Sequence, residues 1–338
     1  MTAAPALALS LGDPAGIGPE ITVKAWRALR ETGPAFLVVG DHDLLAAASG
    51  QGAGLLRRVG SPEEAAAVFA RALPVLDRPL RSPVIAGQPS PAHAEAVVGW
   101  IETGVGLALS GAVGGLVTAP IAKKTLYDAG FTYPGHTEFI AALTARAAYP
   151  GPRGPVMMLT AGDLRTALVT IHLPLAEAIQ ALSVERIVEV GRATAFALAR
   201  DFGVARPRLA LAGLNPHAGE GGALGREEIE IVAPAAERLR AEGIDCSDPR
   251  PADTLFHAEA RATYDAALCL YHDQALIPVK TVDFWGGVNL TLGLPIVRTS
   301  PDHGTGFDLA GRGIARPESL IAAIRAAADM AARRREHA

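Results

Sequence analysis

The sequence predicts an α/β fold built around a mostly parallel sheet. Short apolar runs alternate with longer Ala- and Leu-rich stretches of helical period along the 338 residues, and this alternation is typical of strands joined by crossover helices. Hydrophobic residues make up 49% of the chain and charged residues 20%, a globular balance that excludes intrinsic disorder. At roughly 150 residues per domain, the length indicates about two domains.

Apolar runs bounded by turn residues predict the buried strands. These strands are predicted at residues 7–11, 36–40, 115–118, 156–160, 167–171, 209–214 and 266–271. Stretches of helical period predict helices at residues 20–30, 63–72, 95–110, 184–202 and 227–242. A last helix is predicted to begin near Pro317, because proline suits the first helical position and Leu320, Ile321 and Ile324 share one face.

The order of these segments predicts two lobes. Residues 149–155 contain three prolines and two glycines, which predicts a loop. Polar motifs occur on both sides of it, so we do not interpret it as a linker between independent domains. We predict a two-lobed α/β/α molecule in which residues 1–130 and 290–338 form a discontinuous first lobe and residues 131–289 the second, with the active site in the cleft between them.

Charge and composition exclude several classes of partner. The formal net charge is -4, from 31 basic and 35 acidic side chains, so no basic field is available to hold a nucleic acid. No apolar stretch reaches the roughly 20 residues that span a bilayer. The first basic residue is Lys24, so the apolar start lacks the charged region of a secretory signal and we expect a cytoplasmic protein. The two cysteines, Cys246 and Cys269, are too few for a disulfide scaffold, and Cys269 is predicted to be buried.

Three histidines each follow a predicted strand, and this is the most informative pattern in the sequence. His172, His217 and His272 come after the strands at residues 167–171, 209–214 and 266–271. Ligands of open α/β sheets bind outside the carboxyl ends of the strands, and imidazole is the commonest metal ligand. Each histidine alone is compatible with a hydrogen-bonded loop residue, but the shared context predicts a catalytic divalent metal site. Neighbouring Asp273 is a further ligand or orients one of the imidazoles.

Other polar residues predict an anion site near the same edge. His136 and Thr137 precede an apolar stretch, so they indicate a helix start with Thr137 as its N-cap. Lys280, Asn289 and Arg298 follow one another at nine-residue intervals in an apolar, glycine-rich stretch. Isolated cations in such a setting need a partner, which is either a phosphate or carboxylate ligand or an internal ion pair.

Two glycine-rich turns are weaker signals. Residues 12–20 link the first strand to a helix, and residues 301–306 form a second loop of small residues. Neither matches the dinucleotide fingerprint or the phosphate loop of nucleotidases. Gly304 and Thr305 could let the backbone approach a cofactor, although a plain turn has the same composition.

Taken together, the motifs resemble the family of 4-hydroxythreonine-4-phosphate dehydrogenases of vitamin B6 biosynthesis, over essentially the whole chain. The motifs that carry the resemblance lie at residues 12–20, 135–139, 170–174, 213–222, 251–256, 271–274 and 287–311. The resemblance implies an isocitrate/isopropylmalate dehydrogenase-like fold, a homodimer, and NAD or NADP bound without a Rossmann fingerprint. It also implies that the second lobe carries the metal ligands and the dimer contacts.

The resemblance further implies roles for individual residues. His172, His217 and His272 would bind a divalent metal, with His272 supplied by the partner subunit. The substrate-binding residues would be His136, Thr137, Lys280, Asn289 and Arg298. Lys280 and Asp273 are the candidates for the general acid or base. Residues 303–311, with Gly304 and Thr305, would contact the dinucleotide. The residues do not choose among Zn²⁺, Co²⁺, Mn²⁺ and Mg²⁺, although imidazole favours the softer ions.

The implied reaction is the oxidative decarboxylation of 4-phosphooxy-L-threonine to 3-amino-2-oxopropyl phosphate, CO₂ and NAD(P)H. Three other functions stay open on the residues alone. One is a paralogous dehydrogenase of 4-phospho-D-threonate or 4-phospho-D-erythronate, which would use the same anion-binding groups. The others are a hydrolase that uses water on a three-histidine zinc, and a binding module without catalytic activity.

Overall fold

Strands and helices alternate along the chain. The computed structural model describes residues 5–50 and 52–336. In these residues twelve strands form, in chain order: β1 Leu7–Ser10, β2 Phe36–Gly40, β3 Leu56–Arg58, β4 Leu73–Asp77, β5 Leu116–Thr118, β6 Val156–Ala161, β7 Leu164–Leu168, β8 Arg208–Leu211, β9 Asp245–Cys246, β10 Ala266–Cys269, β11 Val288–Leu292 and β12 Arg298–Pro301.

The same residues contain twelve α-helices. They are α1 Gly18–Leu29, α2 His42–Ala48, α3 Pro62–Val68, α4 Ala94–Leu109, α5 Lys123–Asp128, α6 His136–Thr144, α7 Leu175–Gln180, α8 Val184–Phe202, α9 Ala233–Ala241, α10 Ala258–Arg261, α11 His272–Val282 and α12 Glu318–Glu336. No helix within the described ranges combines the length and the apolar character that crossing a bilayer requires.

The chain divides into two compact units, each with its own part of the sheet. Unit 1 contains Met1–Ala148 and Pro295–Arg335, and unit 2 contains Tyr149–Leu294. The division falls after Ala148 and after Leu294, whereas the lobes predicted from the sequence divide after residues 130 and 289. Helix α6 explains the later first boundary, because it packs against α4 of unit 1 and buries Phe139 and Ile140.

The sheet of unit 1 is parallel throughout. Its strands lie in the order β3-β4-β2-β1-β5-β12, and every pair among them is parallel. Strands β1, β2 and β5 are buried at every residue, as expected for parallel strands covered on both faces. Two tryptophans are fully buried in this unit, and each satisfies its indole N–H with a backbone carbonyl: Trp26 donates to Phe69 at 2.8 Å and Trp100 to Arg78 at 3.0 Å.

The sheet of unit 2 is mixed. Its strands lie in the order β11-β6-β7-β10-β8-β9. Strand β6 is antiparallel to β11 and β7, while the pairs β7–β10, β10–β8 and β8–β9 are parallel. The predicted α/β class with a mostly parallel sheet is therefore confirmed. Cys269 is buried in the core of this unit, as predicted, and burial raises the pKa of its thiol.

Some predicted elements are displaced. The prediction for α8 is confirmed with both of its bounds. The predicted bounds of the strand at 167–171 are wrong, because this strand is β7 and lies three residues earlier, at Leu164–Leu168. The cause is a tight β6–β7 hairpin in which Ala161 pairs with Leu164. Gly162 takes a φ of +57°, a conformation that favours glycine. The predicted helix at 227–242 is a π-helical turn, Glu228–Val232, followed by α9.

Candidate active site

The three predicted histidines follow three neighbouring strands of unit 2. Strand β10 lies between β7 and β8 and is parallel to both. His172 comes four residues after the end of β7, His217 six residues after β8 and His272 three residues after β10. Because the carboxyl ends of parallel strands meet at one edge, the topology brings the three segments to the same edge of this sheet.

Two of the three imidazoles are in contact. The ring centroids of His172 and His272 lie 5.7 Å apart, with 44° between the ring planes. His272 is the first residue of α11, and its Nδ1 donates to Oδ1 of Asp273 at 2.8 Å. This hydrogen bond leaves Nε2 of His272 as the atom able to bind a metal, which is the usual arrangement of a carboxylate-oriented ligand.

His217 lies in an unusual turn. Its φ is +53°, and Ala218 and Glu220 also take positive φ angles of 51° and 44°, with Gly219 and Gly221 in the same region. Each non-glycine residue in this left-handed conformation is disfavoured by roughly 1–2 kcal/mol. A conformation of this kind persists only where surrounding contacts hold it, and it is concentrated at functional sites.

Glu228 supplies those contacts. This buried carboxylate accepts from the backbone N–H groups of Leu214 and Asn215, both at 2.7 Å, and from the Asn215 side chain at 2.9 Å. Glu227 also accepts from the Asn215 side chain, at 2.7 Å. The sequence pattern does not indicate this role, because an acidic residue in a helical stretch normally faces solvent. Glu228 thus fixes the start of the turn that carries His217.

The three imidazoles are of a kind that suits a divalent metal. His172 and His217 are exposed and His272 is half-buried, so the imidazoles are accessible to an incoming ion. Within residues 5–50 and 52–336, no three His, Cys, Asp or Glu side chains are grouped closely enough to hold one ion.

Unit 1 contributes a second group of predicted residues. Arg298 is the first residue of β12 and is only 2% exposed. It donates to Oγ1 of Thr118 at 2.8 Å, and burial lowers the pKa of its guanidinium to about 10, an effect that the charge of Glu138 opposes. A buried guanidinium is suited to binding an anion through charge-assisted hydrogen bonds.

His136 lies in the same unit as a neutral imidazole. It begins α6, and its Nε2 is enclosed and has no hydrogen-bond partner among the described residues. Burial, together with the positive charges of Arg298 and Lys123, holds the pKa of His136 well below its usual value. Thr137 is the second residue of α6, and the prediction of Thr137 as the N-cap is wrong: Gly135 is the N-cap and makes no side-chain hydrogen bond. With the extended Gly135 as N-cap, the helix begins two residues earlier than it would with Thr137 as N-cap.

Lys280 and Asn289 belong to unit 2. Lys280 lies near the end of α11, where its ammonium is 5.2 Å from the ring centroid of Phe284. Asn289 lies on β11 opposite Leu159, and its Oδ1 is enclosed without a hydrogen-bond partner in the described part of the chain. Both side chains are half-buried, and Oδ1 of Asn289 is an acceptor that a ligand can use.

The two glycine-rich turns pack against each other in unit 1. The N–H of Ile17 donates to the carbonyl of Thr305 at 2.9 Å. A Cβ on Gly16 would lie 2.8 Å from that same carbonyl oxygen, so only glycine allows this approach. Gly304 is exposed, with open space around it. The residues predicted to contact a dinucleotide therefore rest on the turn at residues 12–18.

Asp13 is a buried acid that the sequence argument did not single out. It is 5% exposed and accepts from the N–H of Ala15 at 3.0 Å. Burial raises the pKa of Asp13, and hydrogen bonds from Ala15, Thr125 and Ala122 and the charge of His93 partly offset this. Asp13 thereby joins the turn after β1 to the start of α5. The sequence signal that could have identified Asp13 is a single carboxylate in an otherwise apolar, glycine-rich turn.

A mostly parallel α/β sheet with imidazoles at its carboxyl edge, together with a buried guanidinium, defines an α/β enzyme for small anionic substrates. Comparisons with known proteins make this specific. Residues 33–327 match the family model for the pyridoxal phosphate biosynthetic protein PdxA. The 4-hydroxythreonine-4-phosphate dehydrogenase of Caulobacter vibrioides is 69% identical over 335 residues, which is 99% of each chain.

Two further relatives agree. The enzyme of the same name from Maricaulis maris is 57% identical and covers 98% of this chain and 99% of its own. The crystal structure of 4-hydroxythreonine-4-phosphate dehydrogenase from Klebsiella pneumoniae is 39% identical, with a TM-score of 0.86, over 97% of this chain and all of that one. The chain belongs to the PdxA family of 4-hydroxythreonine-4-phosphate dehydrogenases and is an oxidoreductase of pyridoxal phosphate biosynthesis.

Proposed function

We propose that the protein catalyses the NAD(P)- and divalent-metal-dependent oxidative decarboxylation of 4-phosphooxy-L-threonine to 3-amino-2-oxopropyl phosphate, CO₂ and NAD(P)H. The observation that carries this proposal is the adjacency of β7, β10 and β8, each followed by an imidazole. The name shared by its relatives supports the substrate.

His172 and His217 of one chain and His272 of the partner subunit would hold the metal, with Zn²⁺, Co²⁺ or Mg²⁺ as candidates. The absence of a three-donor group in the described residues of one chain supports a site shared between two subunits. A bound divalent cation lowers the pKa of the substrate hydroxyl and stabilises the negative charge that develops during oxidation and decarboxylation. Three neutral ligands leave the full double charge of the ion available for that purpose.

The surface of unit 2 supports a homodimer. Of thirteen exposed large apolar side chains in the described residues, nine belong to unit 2. They are Leu173, Leu175, Ile179, Leu224, Ile229, Ile277, Val282, Phe284 and Trp285. Several flank His172 and His272 in sequence, so a partner that covers them would also approach the imidazoles. Apolar surface of this extent marks an interaction site.

The predicted substrate-binding side chains would orient the substrate. Arg298 offers a planar guanidinium that can bind two anionic oxygens at once. His136, held neutral, offers a hydrogen bond without adding charge, and Thr137 adds a hydroxyl from the first turn of the same helix. Lys280 and Asn289 supply a further cation and an amide. These groups contribute mainly by fixing the substrate in a reactive geometry.

Lys280 and Asp273 are the candidates for proton transfer. Asp273 already holds Nδ1 of His272, so it orients that ring even if it moves no proton. Gly304 and Thr305 would present backbone to NAD or NADP, which accepts the hydride from the substrate. The support of Thr305 on the turn at residues 12–18 favours a fixed shape for this loop.

The test is NADH formation, followed by absorbance, from purified protein, 4-phosphooxy-L-threonine, NAD⁺ and a divalent metal. We expect turnover that a chelator removes and that His172→Ala removes while the protein stays folded by circular dichroism. Turnover only with 4-phospho-D-threonate or 4-phospho-D-erythronate would show the paralogous activity instead. Near-wild-type turnover of His172→Ala in chelator would refute the metal mechanism.

A further inference from the structure

Two neighbouring lysines of unit 1 stand in different environments. Lys123 and Lys124 open helix α5, and both are exposed. Lys124 is neutralised, because its ammonium bonds to Oδ2 of Asp128 at 2.8 Å, one turn further along the helix. Lys123 has no hydrogen bond and no ion pair to any described residue. The pair therefore offers one compensated and one uncompensated positive charge on the same short helix.

The side chain of Lys123 lies beside Gly135, the N-cap of α6. A Cβ built on Gly135 would lie 3.3 Å from Cε and 3.5 Å from Nζ of Lys123, and 3.4 Å from Oε2 of Glu138. The ammonium thus lies close to the backbone directly before His136. Its field reaches the imidazole itself, since the charge of Lys123 lowers the pKa of His136.

The surrounding charges are unbalanced. Lys123 and Arg298 both act on His136, and His136 is uncharged near neutral pH because its pKa is lowered. The carboxylate of Glu138 belongs to the same group of side chains, and its charge acts on Arg298. The group contains two permanent cations and a neutral imidazole whose enclosed Nε2 has no hydrogen-bond partner among the described residues. Electrostatics of this sign favours an additional anion.

The backbone around Lys123 is held in place by hydrogen bonds at the start of α5. The Thr125 hydroxyl donates to the carbonyl of Ala122 at 2.8 Å, and these two residues flank the two lysines. The N–H of Asp13, in the turn after β1, donates to the carbonyl of Pro120 at 2.8 Å. The start of α5 is thus held against the turn after β1. A cation on a fixed segment loses less conformational entropy on binding than one on a free surface side chain.

We infer that Lys123 is a substrate-binding residue, which together with Arg298 and His136 binds an anionic group of the substrate, its phosphate or its carboxylate. The identity of that anion rests on the proposed function. The binding of the anion itself requires neither dinucleotide nor metal, so it can be measured separately from turnover.

The experiment compares wild-type protein with Lys123→Gln, and uses Lys124→Gln as the matched control. Isothermal titration calorimetry with inorganic phosphate and with L-threonine, without dinucleotide, separates the two anionic ends of the substrate. We expect Lys123→Gln to weaken binding of one probe by about 10-fold to 100-fold, the effect of one charge-assisted hydrogen bond. The probe that loses affinity identifies the anion, and Lys124→Gln should bind both probes as the wild type does.

A second readout excludes a merely structural effect. Removing the charge of Lys123 should raise the pKa of His136 towards its ordinary value in an NMR titration, whereas Lys124→Gln should leave it unchanged. Equal affinities of the two variants for both probes, or no binding of either probe by the wild type, would overturn the inference. A wild type that binds phosphate through Lys123 but forms no NADH from 4-phosphooxy-L-threonine would instead refute the proposed function alone.

Discussion

At the scale of single residues, the most informative side chain is Arg298. It is buried, its guanidinium donates to the neutral hydroxyl of Thr118 at 2.8 Å, and the charge of Glu138 acts on it. Removing a cation from water opposes folding. Such an arrangement is retained where the charge is used, and the use we propose is binding of the phosphorylated substrate.

Replacement of Arg298 by lysine tests the forked geometry rather than the charge. Lysine presents a point charge and cannot bind two oxygens in a plane. We expect Arg298→Lys to raise the KM for 4-phosphooxy-L-threonine by at least about tenfold, the effect of one lost charge-assisted hydrogen bond. Steady-state kinetics provides the measurement, and Arg316→Lys, at an exposed arginine paired with Glu318, is the control. Equal KM values for the two variants would argue against a bidentate role.

His136 makes stability depend on pH in a defined direction. Its pKa in the folded protein lies below the ordinary value of 6.5, so the unfolded chain takes up a proton first as pH falls. The free energy of unfolding therefore decreases as pH drops from about 6.5 towards the lowered pKa. Urea unfolding from about pH 7.5 to about pH 5.5 should show a shallower decrease for His136→Asn than for the wild type. Identical slopes would contradict the enclosed, neutral imidazole.

Asp13 acts in the opposite direction. Burial raises its pKa above the ordinary 3.8, so the folded protein holds the proton to higher pH than the unfolded chain. The stability of the wild type relative to Asp13→Asn should decrease as pH rises from about 3.8 through the raised pKa, and then stay level. Unfolding curves of the two proteins across that range measure the difference. If the difference in the free energy of unfolding between the two proteins does not change with pH, burial does not raise the pKa of Asp13.

At the scale of elements, the left-handed turn that carries His217 depends on Glu228. Glu228→Gln keeps the shape of the side chain. Its amide NH₂ would face N–H groups of Leu214 and Asn215, which now donate to the carboxylate. We expect a loss of about 1–3 kcal/mol in the free energy of unfolding and weaker Zn²⁺ binding by calorimetry, because the turn loses its anchor. Glu227→Gln, which removes only one of the two acceptors of the Asn215 side chain, should change both quantities less. The role assigned to Glu228 fails if both variants behave alike.

The elements also show what the sequence could and could not predict. Helix α8 was predicted to the residue because it has clear end signals: Ser183 caps its start through the N–H of Arg186, and Gly203 ends it with a φ of 71°. Strand β12 was missed, since Arg-Thr-Ser-Pro has no apolar alternation although it is buried at every residue. Helix α11 was missed because Pro278 lies inside it and proline is a signal for the end of a helix.

The site was predictable where a topological rule applies. The positions of His172, His217 and His272 follow from the rule that ligands bind at the carboxyl ends of strands. The sequence predicts a mostly parallel sheet but does not predict which strands are neighbours in it. Lys123 and Glu228 were not predictable, because each acts on a residue more than ten positions away that only the folded chain brings near. No single-sequence pattern records that the Lys123 side chain lies beside Gly135.

At the scale of the whole molecule, the concentration of exposed apolar side chains in unit 2 predicts a dimer. Ile277 is 63% exposed on α11, the helix that begins with His272, whereas Ile314 is 54% exposed in unit 1. Ile277→Asp should shift sedimentation velocity from dimer to monomer, since a charge cannot be buried unpaired at an interface. Ile314→Asp should remain dimeric. A wild type that sediments as a monomer would refute the shared metal site as well.

The order of strands in unit 2 has a consequence for synthesis of the protein. Strand β10 lies between β7 and β8 but is the last of the three to leave the ribosome. In a nascent chain that ends before residue 266, the strands that precede His172 and His217 have no common neighbour, and the inner edges of β7 and β8 are unpaired. Pairing of β10 joins segments 100 residues apart, as the bond from the Thr170 hydroxyl to the Leu270 carbonyl shows. Open strand edges promote aggregation, so this unit is most vulnerable during the time between translation of β8 and of β10.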